Sequence, residues 1–394
     1  MKYMGSKAAM LQNGLGETLA TEINGHKRFV DVFAGSGAVA VHVARRFKVK
    51  VLAFDLQHYS VCLTQSVLGR RGELDCSFLS TWASRAAKEV AKYSVPPSRN
   101  LTRQVVSEWR AWCEDRGDLP ITRAYGGHYF SPQQSVWLDA FRRCLPSAEP
   151  EHTVALASLI QAASRCAAAP GHTAQPFQPT RTAKPHLGEA WAKNIEICVK
   201  NILPSIADKF ALREGHAEVK DANVAVEDLT DTDLVFIDPP YSGVHYSRFY
   251  HVLETIALGQ AGEVSGVGRY PHRDRRPWSQ YSVKSEAPTA LDDLLESVAA
   301  MGATAILTFP DHDCSNGLSG ELVREIGSLY FDVRHLTVDS KFSTLGGRSA
   351  ENGRAARHQA DELILCLKPK RGRRSPSRAR SSRDLAKQGG SKAE

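Results

Sequence analysis

The sequence predicts an α/β protein whose largely parallel sheet is interrupted midway by a helical insertion. Three observations carry this. First, a β-branched and aromatic run, Arg28-Phe29-Val30-Asp31-Val32-Phe33, stops at Ala34-Gly35-Ser36-Gly37. A helical pattern with Val39, Val41, Val43 and Ala44 comes next, and Val49-Lys50-Val51-Leu52-Ala53-Phe54 then ends at Asp55. Strand, glycine turn, helix, strand is the opening of a βαβ unit, whose two strands run parallel. Second, the texture changes between about residues 75 and 212. Long polar-apolar segments (101–116, 132–145, 151–169, 187–212) are separated by Pro96-Pro97, Gly126-Gly127 and Pro170-Gly171, and β-branched runs are few. This reads as helices joined by loops. Third, strand texture returns at 216–220, Leu234-Val235-Phe236-Ile237, 303–309, 329–338 and Leu363-Ile364-Leu365-Cys366-Leu367, with helical patterns at 248–258 and 290–301 between some of them. The expected organisation is a catalytic α/β domain in two parts (1–72 and 213–367), a helical insertion at 73–212 and a tail at 368–394.

The tail is Arg, Ser, Pro and Gly with almost nothing apolar, so it cannot offset the entropy of ordering and is expected to be disordered. It also explains the charge. From Lys368 onward there are ten Lys or Arg against two acids, so of the chain's net +7 the remainder contributes about −1. Global basicity therefore says little about a nucleic-acid partner, and a local cluster has to carry that case.

Composition narrows the class. With 42% hydrophobic and 24% charged residues the chain reads as an ordinary soluble protein. No apolar run approaches the roughly 20 residues of a membrane span, and Met1–Lys7 lacks the apolar core of a secretory signal, so a cytoplasmic address and no membrane partner are expected. The eight cysteines form no Cys-x-x-Cys pair and have no His pair at finger-like spacing, which predicts no metal site.

Two motifs carry chemistry. Phe33-Ala34-Gly35-Ser36-Gly37 closes a strand and opens a helix, and its glycines let a ligand lie against bare main chain. Asp55 ends the next strand 18 residues after Gly37, where a carboxylate can accept from both hydroxyls of a ribose. This pattern is shared by nicotinamide enzymes and methyltransferases. The second motif is sharper. Leu234–Ile237 runs into Asp238-Pro239-Pro240-Tyr241. Two prolines end the strand ladder and fix the carbonyls. At the carboxyl edge of a parallel sheet this brings together a carboxylate, a rigid carbonyl and an aromatic face. A base's exocyclic amine is a poor nucleophile because its lone pair is delocalised. Two acceptors drawing on its N–H bonds favour a pyramidal nitrogen, while the ring stacks on a base held outside the duplex.

On these residues the sequence resembles the α class of adenine-specific DNA methyltransferases. Three motifs carry the resemblance: Lys2-Tyr3-Met4-Gly5-Ser6-Lys7, Phe33–Gly37 and Asp238–Tyr241, with an insertion between the last two. The resemblance implies a Rossmann-like sheet, S-adenosylmethionine as methyl donor, double-stranded DNA as substrate, no metal, and a possible cognate restriction endonuclease. It implies that Tyr3, Lys7, Phe33, Gly35, Gly37, Asp55, Asp221 and Asp238 bind the donor. Catalysis would then belong to Asp238, Pro239, Pro240 and Tyr241. Tyr129–Pro132, Pro170-Gly171-His172 and 244–254 are also similar to family segments.

DNA contact is expected at 268–284, where Arg269, Arg273, Arg275, Arg276 and Lys284 are interleaved with Tyr270, Trp278 and Tyr281: cations for phosphates, rings for bases. The insertion, by resemblance, reads sequence, with Arg99, Arg103, Arg123, Lys184 and 173–182 as candidates. The loop Ser340–Arg348 is a candidate for closing over substrate. A dehydrogenase would also use the glycine turn and Asp55, but it has no use for Asp-Pro-Pro-Tyr. Cytosine-N4 or RNA methylation, and a non-catalytic DNA-binding scaffold, stand as alternatives to adenine methylation.

Overall fold

The computed structural model describes residues 7–343 and 357–370. The N-terminal Tyr3, the loop residues 344–348 and the basic tail from 371 lie outside the described residues.

The strands are β1 (Arg28–Asp31), β2 (Lys50–Asp55), β3 (His216–Val219), β4 (Asp233–Ile237), β5 (Val264–Ser265), β6 (Tyr270–Pro271), β7 (Thr304–Pro310), β8 (Phe331–Ser343) and β9 (Arg357–Pro369). Seven of them form one sheet among the described residues, in the order β3-β2-β1-β4-β7-β9-β8, while β5 and β6 form a separate short ribbon. From β3 across to β7 the pairings are parallel, and β9 runs antiparallel to both β7 and β8. The expected parallel sheet is present, with one reversed strand near its edge.

Alternation along the strands shows why both faces are covered. Phe29, Leu234, Phe236, Ile306 and Ile364 pack on one side with helices Leu15–Glu22 and Ala38–Arg46. Their neighbours Val30, Val235, Ile237, Leu307 and Leu365 pack on the other with helices Ala287–Ala300 and Gly320–Tyr330. A strand buried on both sides reads as a continuous apolar run. That is the character of Leu234–Ile237, every residue of which is buried. Each such side chain contributes about 1.5–3 kcal/mol on burial, enough to make the end of β4 a firm platform for the loop that leaves it.

Residues 329–330, expected to open a strand, instead end the helix Gly320–Tyr330. Ser319 caps its start by accepting from the Leu322 amide at 3.1 Å, and Val323, Ile326 and Gly327 bury one stripe at helical spacing. β8 begins at Phe331.

Between β2 and β3 the chain is helical: Phe78–Val90, Arg103–Glu114, Pro120–Tyr125, Pro132–Arg143, Glu151–Cys166, Lys184–Trp191 and Ile195–Ala207 come after the helix His58–Leu68. Ser131 and Gln134 form a reciprocal cap at the start of Pro132–Arg143, the physical use of the Ser131-Pro132 pair. The core of this region includes Trp82, Phe141 and Leu159, and also Tyr59 and Leu63 from His58–Leu68 and Phe249 and Leu253 from Tyr246–Leu258. Glu254 accepts from the His58 and Tyr59 amides, both at 3.0 Å, so the helix that follows Asp238–Tyr241 caps the helix after β2.

Candidate active site

The sheet order reverses between β1 and β4: β2 and β3 lie to one side, β7 and the later strands to the other. At such a switch point the loops leaving adjacent strands part and open a crevice at their carboxyl ends. β1 delivers the glycine turn there and β4 delivers Asp238. Both line one cleft of about 980 Å³, its open mouth included, together with Lys7, Asp31, Phe33, Asp55, Asp221 and Tyr241.

The glycine turn is held by the next strand. Gly35 and Gly37 have φ of 53° and 73°, the left-handed region that favours glycine. The Gly35 amide donates to Asp55 Oδ2 at 2.8 Å, the Gln57 amide donates to Oδ1 at 2.9 Å, and the Ser60 hydroxyl donates to the Gly35 carbonyl at 2.5 Å. Burial pushes the Asp55 carboxyl up to about 6, against these hydrogen bonds. Asp55 lines the cleft, and the lone pairs that these donors leave can accept from a ligand hydroxyl. Asp221 caps the short helix Ala222–Ala225, accepting from the Asn223 amide at 2.9 Å. Asp31, not singled out from the sequence, is a third acid in this wall. It is 1% exposed, and burial pushes it up to about 8.

Asp238 lines the same cleft from the end of β4. Its Oδ1 takes the Thr308 hydroxyl at 2.9 Å and lies 3.1 Å from the Lys7 ammonium, which also binds Glu362. No described residue donates to Oδ2. Burial pushes Asp238 up to about 6; Lys7 counters this and Glu362 adds to it. Burial works against the Lys7 charge, yet Asp238 and Glu362 outweigh it and raise its pKa above the ordinary lysine value. The Lys7 Nζ lies 5.7 Å from the centre of the Tyr241 ring, and that ring meets Phe309 edge-on at 6.5 Å. The two prolines differ as well. Asn316 Nδ2 donates to the Pro240 carbonyl at 2.6 Å and to the Tyr281 carbonyl at 3.0 Å. The Pro239 carbonyl receives no hydrogen bond from the described residues.

The site thus contains Thr308, Asn316, Glu362 and Asp31, which lie outside the motifs. Thr308→Val, close to isosteric, is expected to lower the turnover number about tenfold by removing one hydrogen bond to a charged group, measured under saturating substrates.

The basic loop splits. Arg273, Arg275 and Lys284 are exposed, and Trp278 is 51% exposed, with its ring 6.3 Å from His245. His245, Pro277 and Ser279 line the cleft, so this segment forms part of its rim. Arg276 is half-buried, its guanidinium 5.8 Å from the centre of the Tyr270 ring. Three residues expected to face nucleic acid are turned inward instead. Arg269 donates to the Ala124 and Arg123 carbonyls and pairs with Glu114, because the last carbonyls of helix Pro120–Tyr125 attract its fork. Tyr270 donates to the Ala174 carbonyl at 2.6 Å. Tyr281 is buried, donates to Asn223 Oδ1 at 2.7 Å and meets Phe33 edge-on, and both rings line the cleft. Of the insertion candidates, Arg99, Arg103 and Arg123 are exposed and Lys184 is exposed at the start of its helix. Arg99 is paired with Glu108.

The sheet order and the cleft at its switch point define a Rossmann-like methyltransferase fold. Residues 3–89 and 186–301, just over half the chain, match the model of the D12 class N6 adenine-specific DNA methyltransferases, and the chain belongs to that family. It is 28% identical to the type II methyltransferase M.NlaIII of Neisseria lactamica over 277 residues, covering 66% of this chain and 69% of that one. With the modification methylase LlaI of Lactococcus lactis subsp. lactis it shares 23% identity over 307 residues, 76% of this chain but 44% of that protein. A segment of 78 residues, 20% of the chain, is 40% identical to part of the type II methyltransferase M.FokI of Planomicrobium okeanokoites, 12% of its length. The chain therefore matches less than half the length of LlaI. No helix among the described residues is long and apolar enough to cross a membrane.

Proposed function

We propose that this chain is a site-specific DNA methyltransferase that moves a methyl group from S-adenosylmethionine to the N6 amine of an adenine held out of the duplex. The observation that carries the reading is the division of labour at Asp238, which lines the cleft that the Gly35 turn shares: Oδ1 is occupied by Lys7 and Thr308, while Oδ2 receives no hydrogen bond from the described residues.

The residues present suit this donor. Gly35 leaves bare main chain for it, Gly37 lets the chain turn sharply beside it, Asp55 offers lone pairs to ribose hydroxyls, Asp221 stands near the adenine side, and Phe33 and Tyr281 supply apolar wall. When bound, the donor supplies an electrophilic methyl on a sulfonium. Asp238 Oδ2 and the Pro239 carbonyl accept the two N6–H bonds and turn the lone pair toward the cleft. Tyr241 stacks on the base and limits its tilt. As the N–CH3 bond forms, the methyl–sulfur bond breaks and its electron pair stays on sulfur as a neutral thioether; one N6 proton becomes acidic, and Asp238 Oδ2 receives it before water removes it. Holding the amine in near-attack geometry supplies much of the rate. Arg273, Arg275, Arg276 and Lys284 neutralise phosphates at the rim, with Trp278 beside the mouth. The relatives named as modification methylases support a place beside a cognate restriction endonuclease.

Label transfer from tritiated donor to duplex DNA, with digestion to nucleosides afterwards, tests this. N6-methyladenine is the expected product. Label in N4-methylcytosine, RNA or protein would overturn the assignment. The turnover number is expected to rise with pH through about 6, because Asp238 must be ionised to accept from the amine. A pH–rate profile flat from 5 to 8 would remove that requirement.

A further inference from the structure

We propose that Glu362 is a positioning residue for methyl transfer. From the antiparallel strand β9 it holds the Lys7 ammonium on Asp238, so that one carboxylate oxygen is committed to the protein and the other is left to the substrate amine. This rests on the reading of Asp238 as the acceptor of that amine.

The placement is unusual for a carboxylate. Glu362 is 8% exposed and leads directly into Leu363, Ile364 and Leu365, all fully buried. Its register partner is Pro310, the last residue of β7, which sets it beside the strand that carries Thr308. Lys7 is 5% exposed. Burying such ions costs several kcal/mol each, and replacing a buried pair by packed apolar groups is often neutral or stabilising. Stability alone is therefore a poor reason for this cluster. Its geometry supplies a better one. Lys7 has three donors, and one goes to each carboxylate, which fixes the ammonium instead of leaving it to swing across Asp238.

The charge balance points the same way. Two carboxylates and one ammonium leave the cluster at a net charge of −1. Positive charge passes onto the amine nitrogen as the methyl arrives, and a fixed negative cluster favours that shift. Without Glu362 the cluster would be neutral. The groups that face Asp238 are Lys7 from the N-terminal segment, Glu362 from β9, Asp31 from β1 and Tyr246 from the helix after the motif, beside the uncharged Thr308. Burial pushes Asp31 up to about 8, so it is mostly neutral at pH 7 and leaves the balance unchanged.

The test uses the full chain with duplex DNA and labelled donor. Glu362→Gln keeps shape and removes charge. It is expected to lower the turnover number about tenfold, the effect of one hydrogen bond to a charged group, with donor KM within about twofold. Because Glu362 pushes Asp238 upward, its neutral replacement moves the acid limb of the rate profile to lower pH. Glu362→Asp, which retains the charge, is expected to return the limb toward its parental position. Asp361→Asn, at an exposed neighbour, should leave turnover unchanged. A Gln variant with parental turnover, or with reduced turnover and an unmoved limb, would overturn the proposal. So would loss of folding in the Gln and Asp variants alike, judged by melting, because it would assign Glu362 to structure. Asp238→Ala, run in parallel, separates the two readings. If it is inactive while Glu362→Gln is normal, only the role of Glu362 falls. If it retains turnover, the role of Asp238 falls, and that of Glu362 with it.

Discussion

Asp238→Ala is expected to lower the turnover number by about 10³-fold or more, while donor affinity changes by no more than a few-fold and the fold survives. The size reflects the loss, on this reading, of the charged acceptor that pyramidalises the amine and takes its proton. The fold survives because Lys7 keeps Glu362 as a partner, so the truncation strands no buried ion. Asp238→Asn gives a sharper test. An Asn amide has one accepting oxygen and one donating NH2, and both Lys7 and Thr308 present donors. The oxygen is therefore drawn to them, and the NH2 is left facing the substrate amine with the wrong polarity. Activity of the Asn variant is expected to fall within about tenfold of the Ala variant, although the change is nearly isosteric. Single-turnover methylation with labelled donor, beside calorimetric donor binding, reads both. Turnover within tenfold of the parent in the Ala variant would take Asp238 out of the chemistry.

The two loops that make the cleft were legible because each is written in consecutive residues: an apolar run, then glycines or prolines that only a sharp turn accommodates. Sheet order emerges almost as directly, since the connections through helices make β1, β2 and β4 parallel. The partners of Asp238 were not legible. Thr308 lies 70 residues downstream in a run that reads only as a strand, and it reaches Asp238 because β7 pairs with β4 from Leu234↔Thr304 to Ile237↔Leu307. Glu362 looks in sequence like the polar start of an apolar strand, and only the reversal of β9 brings it to the end of β7. Side-chain direction in loops was equally hidden. Arg269 and Trp278 belong to one basic, aromatic stretch, yet Arg269 turns into helix-end carbonyls while Trp278 stays at the rim. Residue type fixes what a loop side chain can bind, and the packing around the loop decides whether it faces the protein or the cleft.

Gly37→Val carries the second large effect, because the glycine turn is needed twice, for its dihedral angle and for its missing side chain. At φ of 73° a β-branched residue is strained by about 1–2 kcal/mol before any contact is counted. Its Cβ would also stand 2.5 Å from Thr64 Oγ1, inside contact distance of a fully buried residue. Thr64 has little freedom to retreat: its hydroxyl donates to the Ser60 carbonyl at 3.0 Å, and Ser60 holds the Gly35 carbonyl. Relief must come from the turn itself, which carries Gly35 away from Asp55 and disrupts the wall where the donor would lie. Donor affinity is therefore expected to weaken about 100-fold or more, with a melting temperature lower by several degrees. Turnover under saturating donor should fall much less, because Asp238, Lys7 and Thr308 are carried by the end of β4, the N-terminal segment and β7 and not by this turn. Gly72→Ala, at an exposed glycine whose added Cβ meets nothing within 4 Å, provides the matched control and should change neither quantity measurably. Parental donor affinity in Gly37→Val would mean that the donor does not depend on this turn, and the division of the cleft into a donor wall and a chemical wall would have to be redrawn.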